Sequence, residues 1–327
     1  MERLKELQEL IIHQIEREAE TIGQTVPINL YQPIEYTLQM GGKRLRPVMV
    51  LLAADLFGGL VEDALPAALA IEIFHNFTLL HDDIMDKADL RRNKPSVHKK
   101  YNENIAILSG DAMSIMAYRY LLKTKTDRLP EIISLFTETA LEVCEGQQYD
   151  MDFEARQDVT VDEYLNMIRL KTAVLLACSF KMGALAANAN NTDARLIYDF
   201  GINLGLAFQL QDDLLDVYAD QNKFGKKIGG DIVANKKTFL LIKAQELSQY
   251  PNHNELRTWI DKKEFDPTEK INAVKAIYEL VGVKQVCEKE IQNYYTKALN
   301  SLKNIAIEEN QKARLLVFAK SIMAREH

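Results

Sequence analysis

The chain has 327 residues, of which 47% are hydrophobic and 27% charged, and its formal net charge is −7 at pH 7. A nucleic-acid-binding protein generally carries a basic surface, so this acidic balance argues against that class. No apolar run approaches the about 18–20 residues of a membrane-spanning helix. Three widely spaced cysteines support neither a disulfide framework nor a metal site. We expect a soluble protein of the reducing cytoplasm.

Nothing in the composition divides the chain. It holds only 14 Gly and 8 Pro, and no Gly/Ser/Pro-rich linker separates its halves. Few segments alternate between apolar and polar residues as strands do, whereas many repeat apolar residues at helical spacing. We therefore predict a helical protein with a single domain over residues 1–327.

The first candidate binding segment is GGKRLRP, residues 41–47, which follows predicted helices over residues 3–22 and up to about residue 40. Its glycines allow the backbone to approach an anion closely, and Lys43 and Arg46 lie beside them. The segment is a candidate diphosphate cradle. The alternative is an ordinary helix–turn–helix with solvated basic residues.

A long helix over residues 63–90 carries the first acidic motif, DDIMD. Asp82 and Asp86 are four residues apart, so they share one helix face and repel each other unless a cation lies between them. Hard oxygen ligands at this spacing suit Mg²⁺. Arg91 and Arg92 follow, and arginine is suited to bidentate phosphate contacts. The alternative is a solvated acidic helix end.

A lysine lies among apolar residues in the middle of a helix predicted over residues 162–185. Burying Lys171 without a partner is costly, so we expect an anion beside it. The alternative is a lysine whose ammonium reaches solvent along its aliphatic stem. The helix before it, predicted over residues 130–153, contains GQQYD, whose Gln147 and Asp150 are candidates to support side chains that line a cavity.

The acidic pattern returns as DDLLD in a helix predicted over residues 192–220. Asp212 lies 130 residues after Asp82 (212 − 82), too far for one local cluster, and we expect two helices that face each other across a cavity. A Gly- and Lys-rich loop, QNKFGKKIGGD, comes next. From residue 238 onward the sequence predicts amphipathic helices without chemical motifs.

These motifs together resemble those of the trans-isoprenyl diphosphate synthases, the family of farnesyl and geranylgeranyl diphosphate synthases. The resemblance covers nearly the whole chain, and the motifs occur in the family's order: GGKRLRP, DDIMD, LRRNKPSVH, GQQYD, KTA, DDLLD and GKKIGGD. It implies an all-α, single-domain bundle of roughly ten or more helices around a deep central cavity. It also implies a homodimer.

The same resemblance implies a transferase that condenses isopentenyl diphosphate with allylic diphosphates, namely dimethylallyl, geranyl and farnesyl diphosphate. About three Mg²⁺ ions are expected per active site. The implied metal ligands are Asp82, Asp86, Asp212 and Asp216. The implied catalytic residues, which surround the allylic diphosphate or the cation formed from it, are Arg91, Lys171, Thr172, Gln209, Lys226 (preferred over Lys227) and Lys236. The implied isopentenyl diphosphate ligands are Lys43, Arg46, His75 and Arg92.

Product length is predicted from the residues before the first motif. Phe77 is five residues before Asp82 and Phe74 is eight before, whereas Thr78, four before, is small. In the family, an aromatic residue only at the fifth position is typical of archaeal-type enzymes that make the C20 product. We therefore expect geranylgeranyl diphosphate, with the C15 farnesyl product as the alternative.

Two other activities remain as alternatives. A terpene cyclase, which is a lyase, uses the same metal-assisted ionisation but generally has a different second metal motif. A non-catalytic partner subunit generally lacks some of the six aspartates, all of which are present here.

Overall fold

The computed structural model describes residues 2–219 and 228–324, and most of this part of the chain is helical. The helices are α1 (Glu2–Gly23), α2 (Ile28–Leu38), α3 (Leu45–Leu56), α4 (Val61–Met85), α5 (Val97–Lys100), α6 (Glu103–Leu121), α7 (Leu129–Ala155), α8 (Val161–Ile168), α9 (Val174–Ala186), α10 (Asn191–Tyr218), α11 (Gly230–Val233), α12 (Phe239–Leu247), α13 (Asn252–Asp261), α14 (Pro267–Leu280), α15 (Val283–Lys303) and α16 (Glu309–Met323). A π-helical turn, Arg169–Ala173, joins α8 to α9, and one antiparallel ribbon pairs β1 (Leu90–Arg91) with β2 (Lys94–Pro95). The predicted all-α class is confirmed.

Packing divides the chain into two compact units. The first unit comprises Met1–Thr137 with Cys178–Ile197, and the second comprises Glu138–Ala177 with Tyr198–His327. A single domain over residues 1–327 remains a prediction. Within the described residues, no helix is both long enough and apolar enough to cross a membrane.

Helix α4 is central to the first unit, where it packs against α3 and α6. All residues from 67 to 74 are buried, because every residue of this segment except Glu72 is apolar. Four of the first ten residues of α4 are alanines, and such small side chains allow neighbouring helices to approach closely. The buried part of α4 thus gives rigid support to the C-terminal end of the helix, where the first acidic motif lies.

The long helix predicted over residues 63–90 is too long at its C-terminal end, since α4 ends at Met85. Lys87 adopts the left-handed conformation with φ 52°, and its amide donates to the carbonyl of Ile84. The amide of Ala88 donates to the carbonyl of Asp83, which completes a Schellman motif. The chain then turns into the β1–β2 ribbon. The backbone of Arg91 therefore lies off the axis of α4, and its side chain can point back toward the helix.

Helix α8, the π turn and α9 form one helical run, as predicted over residues 162–185, but the π turn was not expected. Helix α10 packs closely against this run through glycines. A Cβ atom on Gly201 would lie 2.5 Å from Cα of Ala177, and one on Gly205 would lie 2.7 Å from Cα of Ala173. Gln209 follows at the same four-residue spacing and therefore faces the π turn too.

Candidate active site

Within the first acidic motif, the middle aspartate is already bound by the protein. Asp83 is 3% exposed and accepts from Arg91, at 2.9 Å from Nε and 2.5 Å from Nη2. Arg91 Nη2 also lies 3.3 Å from Oδ2 of Asp82. Asp82 is partly exposed and Asp86, which caps α4, is exposed. Arg91 is therefore held at the motif by an internal counter-ion.

The glycine segment receives a guanidinium group from the ribbon. Arg92 donates through Nη1 to the carbonyl of Gly41. Gly42 has φ +123°, and a Cβ atom there would lie 2.7 Å from Cζ of Arg92, so only glycine fits this contact. Lys43 is exposed next to it. Arg92 therefore lies against the glycine segment that also carries Lys43.

His75 completes the basic group from α4. Nη1 of Arg46 lies 3.1 Å from Nε2 of His75, and arginine has no acceptor, so this imidazole nitrogen accepts. Burial lowers the pKa of His75 well below its usual value, and the positive charges of Arg46 and Arg92 lower it further. A neutral His75 orients the arginine rather than adding a charge of its own.

Arg44, which lies in the same basic segment, has an internal role that the sequence did not show. It is 7% exposed, adopts φ 48°, and pairs with Glu72 through a 2.5 Å contact. Asn76 donates to the same Glu72 oxygen at 2.8 Å. This buried group ties the glycine segment to α4 and thereby positions its neighbours Lys43 and Arg46. Acidic and amide residues on an apolar helix, such as Glu72 and Asn76, were the available signal.

In the second unit, the anion expected beside Lys171 is a protein carboxylate. Nζ of Lys171 lies 2.6 Å from Oδ2 of Asp150. A Cβ atom on Gly146 would lie 2.3 Å from the backbone nitrogen of Lys171, so glycine is needed for this close approach of α7. Gly146 and Asp150 are four residues apart on one face of α7. The GQQYD motif therefore supports the π turn and orients its lysine.

A hydrogen-bonded chain links the π turn to the second acidic motif. Thr172 Oγ1 donates to Oε1 of Gln209 at 3.2 Å, and Nε2 of Gln209 donates to Oδ1 of Asp213 at 3.1 Å. Tyr164, which is 1% exposed, donates to the other carboxylate oxygen of Asp213. Because the amide nitrogen of Gln209 faces Asp213, the carbonyl oxygen of Gln209 faces Thr172. Tyr164 was not found from the sequence.

Carboxylates crowd the end of α10 and the following turn. Burial, with the charge of Asp231 as the next cause, raises the pKa of Asp213 to about 7. The pKa of Asp231 is raised to about 6 by burial, with Asp216 and Asp212 adding to the effect while Lys236 opposes it. Burial also raises the pKa of Asp216, although the backbone amide of Asp231 donates to it at 3.0 Å. These carboxylates therefore have too little positive charge around them to offset their mutual repulsion.

Of the two lysines predicted to bind phosphate after the second acidic motif, only one lies within the described residues. Lys236 lies in the turn between α11 and α12, is exposed, and is close enough to Asp231 to lower its pKa. Lys226, like its alternative Lys227, lies outside the described residues.

The residues predicted to set product length form an aromatic cluster in the first unit. The ring centroids of Phe74 and Phe77 are 5.4 Å apart. Phe136 on α7 backs Phe74 at 5.1 Å, and Phe77 also contacts His81 at 4.8 Å. Thr78 is part-buried and donates to the carbonyl of His75 at 2.8 Å. Phe136 was not identified from the sequence, because the contact joins distant segments.

The donor chemistry fits Mg²⁺ at both motifs. Asp82 and Asp86 in one, and Asp212 and Asp216 in the other, offer hard oxygen atoms. Residues 2–219 and 228–324 contain no group of three or more His, Cys, Asp or Glu side chains placed to hold an ion. This is compatible with Mg²⁺, which commonly binds through one or two carboxylates together with water and substrate phosphate.

The helical fold, the paired acidic motifs and the basic groups define a class of enzymes that bind prenyl diphosphates. A family model described as polyprenyl synthetase matches residues 27–281, and the chain belongs to this family. It is 40% identical over 283 residues to a geranylgeranyl diphosphate synthase of Sulfolobus acidocaldarius, covering 85% of this chain and 84% of the relative. It is 39% identical over 249 residues to a geranylfarnesyl diphosphate synthase of Natronomonas pharaonis, covering 69% and 73%. The crystal structure of a geranylgeranyl pyrophosphate synthase superposes with a TM-score of 0.93 at 46% identity, over 99% of both chains.

Proposed function

We propose that this protein is a Mg²⁺-dependent short-chain prenyltransferase that condenses isopentenyl diphosphate with allylic diphosphates and releases mainly geranylgeranyl diphosphate. One observation carries the proposal. In each acidic motif the second aspartate is buried and bound inside the protein, Asp83 by Arg91 and Asp213 by Tyr164 and Gln209. The first and fifth aspartates of each motif are more exposed than the second, and we assign them as the metal ligands.

The four proposed metal ligands would hold about three Mg²⁺ ions together with the allylic diphosphate. Bound Mg²⁺ would neutralise charge on the diphosphate and on the departing pyrophosphate. The proposed protein donors to the same group are Arg91, Lys171, Lys226 and Lys236. Arg91 and Lys171 are held in fixed geometries by Asp83 and Asp150, so little reorganisation is needed when negative charge develops.

Isopentenyl diphosphate is proposed to bind the basic cradle formed by Lys43, Arg46, His75 and Arg92. Cleavage of the allylic C–O bond leaves a carbocation, which the double bond of isopentenyl diphosphate attacks to form the new C–C bond. The proton lost from the adduct goes to the released pyrophosphate. Thr172 and the carbonyl oxygen of Gln209 supply negative ends of dipoles that favour the cation.

The C20 product is proposed from the aromatic cluster. Phe74 is 3% exposed and lies between Phe77 and Phe136, so a growing chain that passes Phe77 would meet a second filled position. The similarity to synthases of both C20 and C25 products means that family membership alone leaves the length open. Two rings in series favour C20 over longer products, because forcing extra atoms into a packed core is costly.

A homodimer is part of the proposal. Leu108, Ile115 and Leu122 follow one another at intervals of seven residues on and just after α6, so they share a face. They are 60%, 64% and 60% exposed in the single chain, an apolar stripe that a second copy would cover. Sedimentation of the purified protein would measure the mass. A cytoplasmic location is also proposed, on the basis of three widely spaced thiols.

The activity is tested with radiolabelled isopentenyl diphosphate, dimethylallyl diphosphate and Mg²⁺, with products sized after dephosphorylation. We expect label mainly in geranylgeraniol. Consumption of an allylic diphosphate without uptake of label would instead indicate a cyclase. No reaction by the pure protein, with activity restored by a second chain, would indicate a non-catalytic subunit.

A further inference from the structure

Lys270, in the first turn of α14, is a buried cation that none of the motifs includes. Its side chain is 0% exposed. Nζ donates to Oδ1 of Asn235 at 2.7 Å and to the carbonyl of Val233 at 3.3 Å, and it lies 4.2 Å from the ring centroid of Phe265. No carboxylate lies within ion-pair distance of it in the part of the chain that the structure describes. Burying an ammonium in this way costs free energy, so the presence of a lysine at this position needs an explanation.

Both oxygens belong to the turn that connects α11 to α12. Asn235 adopts the left-handed conformation with φ 53°. Its side-chain amide is bound at both ends, because Oδ1 accepts from Lys270 while Nδ2 donates to the carbonyl of Ile260 at 3.0 Å. The turn is therefore tied to α14 and to the last residues of α13 at a single residue.

The residue after Asn235 is the proposed phosphate ligand Lys236. Its backbone amide donates to the carbonyl of Asp231 at 2.9 Å. The backbone amide of Asp231 in turn donates to Oδ2 of Asp216 at 3.0 Å, so the turn that ends in Lys236 contacts the second acidic motif. A left-handed residue immediately before Lys236 sets the direction in which the chain leaves the turn. Holding Asn235 in that conformation thus fixes the position of the Cα atom of Lys236, from which its side chain extends.

We propose that Lys270 is a positioning residue for the allylic diphosphate, which fixes the turn from Val233 to Lys237 so that Lys236 stands beside the second acidic motif. Lysine suits this task because one ammonium carries three donors on a long stem, enough for two oxygens and an aromatic face. The inference rests on the proposed function, since it requires that Lys236 contacts the allylic diphosphate.

The test is Lys270→Met, which keeps most of the side-chain volume and removes the donors. Because the backbone before Lys236 would no longer be held in one conformation, we expect KM for the allylic diphosphate to rise about tenfold. KM for isopentenyl diphosphate should change less than about twofold, since the groups that Lys270 contacts, on Val233, Asn235 and Phe265, are not among its proposed ligands. Lys289→Met, an exposed lysine on α15, is the matched control and should leave both constants unchanged.

A double variant separates this inference from the proposed function. If Lys270 acts through Lys236, then Lys236→Ala combined with Lys270→Met should be no worse than Lys236→Ala alone. An unchanged allylic KM in Lys236→Ala would refute the phosphate role of Lys236, and the inference with it. A raised KM in Lys236→Ala, with no change or a fully additive change from Lys270→Met, would overturn only the inference and leave Lys270 a structural residue.

A second substitution covers the case in which Lys270→Met does not fold. Asn235→Gly removes the acceptor but permits the same left-handed backbone. It should show the same selective rise in allylic KM, and a variant that loses stability without that rise would also refute the positioning role.

Discussion

The C20 product should lengthen when the aromatic cluster is opened from the side of the active site. Along α4, Phe77 lies about 7.5 Å and Phe74 about 12 Å from Asp82, so the two rings are about 4.5 Å apart along the axis. Three backbone bonds of an extended chain span about 3.5 Å, so the four bonds of one C5 unit span about 5 Å. Phe77→Ala should therefore admit about one more C5 unit.

The double variant Phe77→Ala/Phe74→Ala should admit at least one further unit, whereas Phe74→Ala alone should change the product little because Phe77 still blocks the path. Phe74 is 3% exposed, so its truncation should lower the free energy of unfolding by about 3–5 kcal/mol. Phe318→Ala, at a residue 1% exposed near the C-terminus, is the control for lost volume and should leave the products unchanged. Products would be sized after dephosphorylation, and stability would be measured by denaturant unfolding. An unchanged distribution in the double variant would remove both rings from the path of the chain.

Three further predictions concern charge. Asp82→Ala or Asp212→Ala should lower turnover by several orders of magnitude with the fold retained in circular dichroism, because each removes a metal ligand; near-normal turnover would contradict the metal assignment. Arg46→Ala should raise KM mainly for isopentenyl diphosphate and Lys226→Ala mainly for the allylic substrate, and equal effects on both substrates would contradict the two-site assignment. His75 has a folded-state pKa below its unfolded value, so its contribution to stability is present above about pH 6.5 and is lost as the pH falls through the folded pKa. The difference in unfolding free energy between the wild type and His75→Gln should therefore shift against the wild type on acidification, and a pH-independent difference would refute it.

Local patterns in the sequence account for much of the fold and for the identity of the motif residues in the candidate site. Helical spacing of apolar residues predicted the helices, and the four-residue spacing of Asp82 and Asp86 placed both on one face. The end of α4 was missed because a lysine, rather than glycine, takes the left-handed position after it. The π turn was missed because one inserted residue barely changes the apolar pattern.

The sequence by itself determined the helical class, the order of the motifs and the residue types available for metal and phosphate. Only the tertiary structure decided which of them pair with each other. Lys171 meets Asp150 across 21 positions, Tyr164 meets Asp213 across 49, and Lys270 meets Asn235 across 35. The physical reason is that helical periodicity relates residues only about one turn apart, whereas buried polar groups must find partners on whichever helix packs beside them.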